Sequence, residues 1–158
     1  MMTEDELPPD ISLVVAVTNL QGLKVDVVRV HDVARKAAGS EDAIGELSVV
    51  LVDAEQMAEM NSQYRDECGP TDVLSFSIDG LISGGVGSDE AAPFVIGEVV
   101  VCPEVAKKQS DDLEAELDLL VTHGVLHLLG FDHADESSAA AMRQKENELI
   151  GRSGASAT

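Results

Sequence analysis

Aromatic residues and positive charge are both scarce in this chain. It has no tryptophan, one tyrosine and three phenylalanines among 158 residues. Because proteins commonly hold single-stranded nucleic acids by stacking bases on aromatic rings, we expect little sequence-specific grip of that kind. Lysine and arginine number 10 against 30 acidic residues, a formal net charge of −20. The field of such a protein repels polyanions, which argues against broad nucleic-acid binding but leaves room for a local basic site.

Cysteines and long apolar runs are also few. Cys68 and Cys102 are far apart and belong to no Cys-x-x-Cys pair, so reduced thiols are expected rather than a metal or disulfide framework. The first ten residues are acidic and lack the cationic start and apolar core of a signal peptide. The longest apolar run, 119–131, is too short to span a bilayer. We therefore expect a cytoplasmic protein that makes no membrane contact.

The length and the pattern of apolar residues predict one α+β domain. We expect a disordered acidic leader at 1–10, a folded domain at 11–150 and a flexible tail at 151–158. The predicted elements are strands at Ile11–Thr18, Glu46–Val52, Asp72–Ile78 and Val95–Cys102, and helices at Val27–Ala38, 53–65, 103–108, 111–130 and about 137–150. This order gives a small mixed four-stranded sheet packed with about five helices. Residues 79–93 have no period and are expected to form a mobile loop.

Local signals mark where two of these helices begin. Residues 53–56 form a capping box, in which an aspartate and a glutamine bond each other's backbone N–H groups. Ser137 or Ser138 is expected to cap the last helix, with Glu146 and Glu148 solvated on its outer face.

Three of the four histidines fall within eleven residues, in the run HGVLHLLGFDH. His123 and His127 are four residues apart on the helix 111–130, which is apolar on most sides and therefore predicted to be buried and central. Gly130 suits the left-handed residue that ends a helix, so the chain can turn back and bring His133 to the same point. A lone histidine on an apolar helix is usually a core residue, but three at this spacing predict a catalytic zinc site with one open position.

The residue after the first histidine departs from a known protease pattern. The frame matches H-E-x-x-H-x-x-G-x-x-H at every position except one, where Gly124 replaces the glutamate that serves as general base. A zinc peptidase of that type needs the carboxylate to activate water. The spacing therefore supports a metal site, whereas peptidase chemistry is in doubt.

The helix at 27–38 carries much of the positive charge. Arg29, Arg35 and Lys36 lie there and are weak candidates for contacts with a nucleic-acid backbone. A solvated helix face is the favoured interpretation, because helices usually carry their charges outward.

Three segments together resemble one protein family. They are NSQYRDECGPTDVLSF at 61–76, IGEVV at 96–100 and the histidine run at 123–133. With the motif H-G-x-L-H-L-x-G-[YF]-D-H, the chain closely resembles the YbeY endoribonucleases, the rRNA maturation factors, from about residue 11 to 150. The resemblance implies a YbeY-like metal-dependent endoribonuclease domain over 11–150.

The resemblance also implies an activity and a set of site residues. Members are zinc-dependent, single-strand-specific endoribonucleases of the bacterial cytoplasm that act in 16S rRNA 3′-end maturation and late ribosome quality control. His123, His127 and His133 would bind one Zn²⁺ per chain, and Arg65 would be catalytic together with His123. The implied partners are single-stranded rRNA, the small ribosomal subunit and its assembly proteins. Since aromatics are few, we expect RNA specificity to come from docking on the ribosome or on protein partners.

The chemistry of phosphodiester cleavage fits these residues in part. A metal and a guanidinium both stabilise charge on phosphoryl oxygens, and Arg65 can hold a phosphate through two N–H groups. From the residues alone, a salt bridge from Arg65 to Asp66 or another surface acid is the simpler expectation. Asp132 and Glu98 are candidates for the general base, and Asp132 is equally a candidate for orienting a histidine.

Two other functions are compatible with the histidine frame. A metalloprotease would require a base other than Gly124. A non-catalytic assembly factor, in which zinc ties the helix end to the core, would require a fourth protein ligand such as Cys68, Cys102 or Asp132.

Overall fold

The computed structural model describes residues 13–65, 67, 69–77, 95–131 and 135–150. Its four strands form one mixed sheet in the order β1-β2-β4-β3, with β1, β2 and β4 parallel and β3 antiparallel to β4. The strands are β1 Leu13–Asn19, β2 Gly45–Leu51, β3 Val73–Ser77 and β4 Val95–Val101. The predicted mixed four-stranded sheet is confirmed. The predicted leader at 1–10, the loop at 79–93 and the tail at 151–158 lie outside the described residues.

Within the described ranges, five helices accompany the sheet, as predicted. They are α1 Val27–Gly39, α2 Ala54–Arg65, α3 Pro103–Gln109, α4 Leu113–Leu128 and α5 Glu136–Ile150. The capping box before α2 is confirmed, since Gln56 N donates to Asp53 Oδ1 over 2.8 Å and Asp53 N donates to Gln56 Oε1 over 3.4 Å. None of these helices is long and apolar enough to cross a membrane.

The expected cap of α5 was wrong. The helix begins after Asp135, whose Oδ1 accepts a hydrogen bond from the backbone N–H of Ser138 over 2.8 Å. Hydrogen bonds from Ser138 to its carboxylate lower the pKa of Asp135. Aspartate caps a helix as well as serine does, and its negative charge also suits the positive end of the helix dipole.

The two faces of the sheet carry different layers. Helices α1, α4 and α5 pack with strand residues such as Leu47, Val49 and Val99 in the larger apolar cluster. On the opposite face, Met57 of α2 packs with Leu74, Val100 and Cys102 in a smaller cluster. Most of α4 from Leu117 to Leu126 is buried, so the predicted central helix is confirmed.

Two glycines let α4 lie close to the sheet. A Cβ on Gly124 would come within 2.6 Å of Val99 Cγ1 in β4. A Cβ on Gly97 would come within 2.6 Å of Phe76 O and 2.9 Å of Leu128 Cδ2, and Gly97 has a φ of +152°. The second half of α4 is therefore seated on β3 and β4 at a distance that only glycine permits at these contacts.

Candidate metal centre and active site

The second half of α4 presents two histidines side by side. The ring centroids of His123 and His127 are 6.5 Å apart and their planes differ by 9°. This near-parallel arrangement follows from their separation of four residues, which is slightly more than one helical turn. The predicted placement of both rings on one helix face is confirmed.

Each of the two rings is hydrogen-bonded through Nδ1. His123 Nδ1 lies 2.6 Å from Glu146 Oε2, and His127 Nδ1 lies 3.1 Å from Phe131 O. A carboxylate and a carbonyl oxygen are both acceptors, so each Nδ1 carries the proton and donates it. In the neutral ring this leaves the lone pair on Nε2, the atom through which such a histidine binds a metal.

The end of α4 explains how the oxygen of Phe131 reaches His127. Gly130 has a φ of +106°, Phe131 N donates to Leu126 O over 3.0 Å and Gly130 N donates to His127 O over 3.2 Å. These two bonds define a Schellman turn, in which a left-handed glycine reverses the chain. The predicted helix stop at Gly130 is confirmed, and the turn places a backbone acceptor under the second ring.

These two rings fit a zinc site in their chemistry. Metal-binding histidines usually donate their other ring N–H to a carboxylate or a backbone carbonyl, which is the pattern seen at His123 and His127. Within the described residues, no group of three or more metal-binding side chains is found. The predicted third ligand, His133, and the neighbouring Asp132 lie outside those residues, so the three-histidine site stays a prediction.

Glu146 was not identified from the sequence as a site residue. It was expected to be solvated, and that expectation was wrong: the residue is 7% exposed, whereas Glu148 is exposed as predicted. The sequence did contain a signal, because Met142, Glu146 and Leu149 are spaced to share one helix face and all three are buried. A carboxylate on the apolar face of a helix indicates a buried partner, here His123.

Gly124 occupies the position where zinc peptidases have a glutamate, and residues of the sheet lie against it. Gly124 is buried, and a Cβ there would meet Val99, with Ser75 Oγ at 3.2 Å and Val73 Cγ2 at 3.3 Å. Ser75 Oγ also donates to Gly124 O over 3.1 Å. A glutamate at this position would therefore point into β3 and β4, and the peptidase base has no room in this fold.

Arg65 is the last residue of α2 and is partly solvated. Its Nη2 lies 3.3 Å from Glu67 Oε2, and the two side chains are 50% and 56% exposed. The expected pairing with a surface acid is therefore present, with Glu67 as the partner. The next turn is held by Asn61, whose amide donates to Gly69 O over 2.9 Å. A phosphate-binding role for Arg65 stays a prediction.

Two of the other candidates lie on the α2 side of the sheet. Glu98 pairs across the strands with Phe76 and alternates with Gly97 and Val99, both of which face α4. Glu98 therefore points away from the face on which the histidine helix packs. Cys102 belongs to the α2 cluster, and burial raises the pKa of its thiol. Its place on that side argues against Cys102 as a fourth metal ligand.

The basic residues of α1 are largely engaged within the protein. Arg29 Nε and Nη2 bond the two oxygens of Asp118 over 3.0 and 2.7 Å. These hydrogen bonds and the charge of Asp118 raise the pKa of Arg29. Arg35 Nη1 donates to Leu13 O over 3.0 Å, whereas Lys36 is exposed. Two of the three weak candidates thus connect α1 to its neighbours, and nucleic-acid contact by this helix stays untested.

Sequence comparisons with known proteins agree on one family. The family model described as Endoribonuclease YbeY matches residues 15–154. Proteins called Endoribonuclease YbeY from Acidothermus cellulolyticus and Salinispora tropica are 41% and 43% identical to the chain, covering 87% and 86% of it and 90% and 93% of their own lengths. The solution structure of TM1509 from Thermotoga maritima superposes with a TM-score of 0.55 at 26% identity, over 89% of this chain and 87% of that one.

Proposed function

This chain belongs to the Endoribonuclease YbeY family, and on that premise we propose that it is a zinc-dependent endoribonuclease that cleaves single-stranded RNA. The observation that supports the metal-dependent part is the pair of parallel imidazoles, each with Nδ1 bonded to an oxygen. We further propose that the substrate is the 3′ region of 16S rRNA on the small ribosomal subunit in the cytoplasm, during maturation and late quality control.

In this proposal His123, His127 and His133 hold the metal through ring nitrogens. When bound, Zn²⁺ would supply positive charge beside the scissile phosphate and would acidify a water molecule. Glu146 and the carbonyl of Phe131 accept from Nδ1 of the first two rings and so favour the tautomer that has its lone pair on Nε2. Both acceptors thus serve binding and orientation rather than proton transfer to the RNA.

Arg65 would donate to the phosphoryl oxygens. Its ion pair with Glu67 is half exposed on both sides. Such surface pairs contribute about 0 to 1 kcal/mol, so a phosphate can displace Glu67 at little cost. A planar guanidinium then binds two phosphoryl oxygens at once.

The proton acceptor is proposed to be Asp132 rather than a residue of the sheet. Position 124 is closed by Val99, and Glu98 lies on the face away from α4. Since no sheet carboxylate takes part, the three histidines would hold a metal whose charge would make the attacking water more acidic, and Asp132 would take up its proton.

The acidic surface and the few aromatic rings support a role for the ribosome in substrate selection. A chain with a net charge of −20 repels free RNA, and it has only three phenylalanines and one tyrosine for stacking on bases. We therefore propose that docking on the small subunit and its assembly proteins, rather than base reading, selects the rRNA.

One experiment tests the activity and its metal together. Wild type, His127→Ala and Arg65→Ala are assayed on single-stranded and duplex RNA with and without a chelator, and the bound metal is quantified. We expect zinc near one equivalent in wild type, cleavage of single strands only, and loss of cleavage in both variants. His127→Ala should also lose metal, whereas Arg65→Ala should keep it.

The control is Lys107→Ala, which removes an exposed positive charge from α3 without touching the histidine face. Its cleavage rate should equal that of wild type. If metal is bound but all four proteins cut RNA equally and resist the chelator, the cleavage is contamination. The non-catalytic, zinc-stabilised assembly factor would then be the better explanation.

A further inference from the structure

We propose that Glu146 is a positioning residue for the metal centre: it holds His123 in the tautomer and orientation that bind the metal and supplies the negative charge behind that ligand. The proposal rests on the zinc site of the proposed function. It concerns a residue of α5, which the zinc motif does not contain.

The burial of Glu146 requires an explanation. Among the described residues, it is the one charged side chain that is buried. Taking a carboxylate out of water is costly unless a charged or strongly polar partner compensates. The partner at hand is His123 Nδ1, 2.6 Å from Oε2, the length of a strong charge-assisted hydrogen bond. A metal dication held by His123 would offset the remaining cost of burying this carboxylate.

The backbone that carries Glu146 is fixed from both sides. Met142 and Leu149, one turn before and after, are buried in the core. Lys145 Nζ pairs with Glu41 Oε2 over 3.0 Å, which ties α5 to the segment after α1. The carboxylate therefore has little freedom to move away from His123, and its geometry is set by the fold before any metal binds.

The consequence for His123 is chemical as well as geometric. Donation from Nδ1 to a carboxylate fixes the lone pair on Nε2, limits rotation of the ring and makes Nε2 more basic. His127 receives only the first two effects, since its acceptor is the neutral carbonyl of Phe131. The two histidines thus differ in the charge behind them, and only the partner of His123 can be removed by changing a side chain.

Two substitutions separate the hydrogen bond from the charge. Glu146→Gln keeps an oxygen that can accept from Nδ1 but removes the negative charge, and Glu146→Leu removes both. Zinc affinity is measured by competition with a chromophoric chelator. We expect a loss of roughly 10- to 100-fold for Glu146→Leu and a smaller loss for Glu146→Gln, because partners of this kind contribute about that much.

Glu148→Gln is the matched control. It removes the same charge two residues further along α5, from an exposed side chain that accepts a hydrogen bond from Gln144 Nε2 over 3.5 Å. Its zinc affinity should equal that of wild type. A loss equal to that of Glu146→Gln would show that net charge, not the contact with His123, sets the affinity, and would overturn the proposal.

The melting temperature of the metal-free proteins distinguishes positioning from simple structural support. His123 is 34% exposed, so its ring can be hydrated when the carboxylate is gone. A leucine on the apolar face of α5 should leave the metal-free Tm at or above that of wild type. A lowered metal-free Tm with unchanged zinc affinity would mean that Glu146 only joins α5 to α4.

The result for wild type separates this inference from the function on which it rests. If wild type binds no zinc, both the zinc-dependent function and the role of Glu146 are wrong. If wild type binds about one zinc and Glu146→Leu binds it equally tightly, only the role of Glu146 is wrong.

Discussion

At the scale of the residue, Gly124 decides what chemistry the histidine frame can carry. In the sequence, Gly124 occupies the position of the catalytic base of zinc peptidases. In the structure, it lies at the contact between α4 and β4. The missing side chain lets the helix approach the sheet and leaves the histidines without a neighbouring carboxylate from that position. The same glycine thus serves packing and excludes one reaction mechanism.

Gly124→Ala should destabilise the fold. The new Cβ would lie 2.6 Å from Val99 Cγ1, a stiff side chain in the core, so the helix or the strand must shift. We expect a loss of about 1 to 3 kcal/mol in the free energy of unfolding, as for other overpacked cores. Urea denaturation of the metal-free protein measures it.

Gly39→Ala is the matched control for that substitution. Gly39 is in α1, and a Cβ there meets nothing within 4 Å. Alanine should leave the stability unchanged or raise it by up to about 1 kcal/mol, because alanine favours the helix. Equal effects of the two substitutions would contradict the packing role of Gly124.

At the scale of the element, the last turn of α4 couples a helix end to the orientation of the His127 ring. The left-handed Gly130 closes the Schellman turn, and that turn carries the carbonyl of Phe131 to His127 Nδ1. The orientation of the second histidine ring therefore depends on the backbone conformation of Gly130, a residue that has no side chain.

Gly130→Ala should cost roughly 1 kcal/mol of stability, the penalty of a left-handed alanine. A Cβ at this position meets nothing within 4 Å, so conformational strain is the only contribution. Zinc affinity should fall as well, because a relaxed turn moves the acceptor of His127. Urea denaturation and chelator competition measure the two effects.

Asparagine at the same position provides the comparison. Asparagine tolerates the left-handed region better than alanine does. Gly130→Asn should therefore lose less stability and less zinc affinity than Gly130→Ala. If alanine and asparagine behave alike, the backbone conformation of residue 130 is not what orients His127.

The basic residues of helix α1 show that a positive cluster in the sequence need not form a binding surface. Its basic residues formed the one positive cluster from which RNA contact could be considered, yet Arg29 is bonded to Asp118 of α4 through two nitrogens. The pair joins two helices of the same layer. In a protein with this excess of acidic residues, a basic side chain readily pairs with one of the protein's own carboxylates.

At the scale of the whole molecule, the net charge of −20 dominates. Carboxylates outnumber cations three to one, and most of their mutual repulsion acts through solvent. The folded state holds these charges closer together than the unfolded chain does. Self-repulsion therefore opposes folding, while it also discourages contact with free RNA.

The Tm of the metal-free protein should consequently rise with salt. Between about 0.01 M and about 0.15 M NaCl the Debye length falls from about 30 Å to about 8 Å, which screens the repulsion between distant carboxylates. Screening also weakens the pair between Arg29 and Asp118, but the excess of negative charge decides the sign. Calorimetry at constant pH measures the change.

KCl should raise the Tm as much as NaCl does at the same ionic strength. Glycerol is uncharged and does not screen charges, so at low salt it should not reproduce this rise. A Tm that stays constant or falls over this range would mean that local ion pairs outweigh the net repulsion.

The sequence by itself determined the α+β class, the five helices and four strands, the helix stop at Gly130 and the common face of His123 and His127. These follow from periods of 2 and 3.6 residues and from the backbone freedom of glycine, which are local properties. Only the tertiary structure decided that Glu146 faces His123, that Gly124 faces Val99 and that Glu98 faces away from α4. Each of these depends on which elements meet across 23 or more residues of chain, and local patterns do not contain that information.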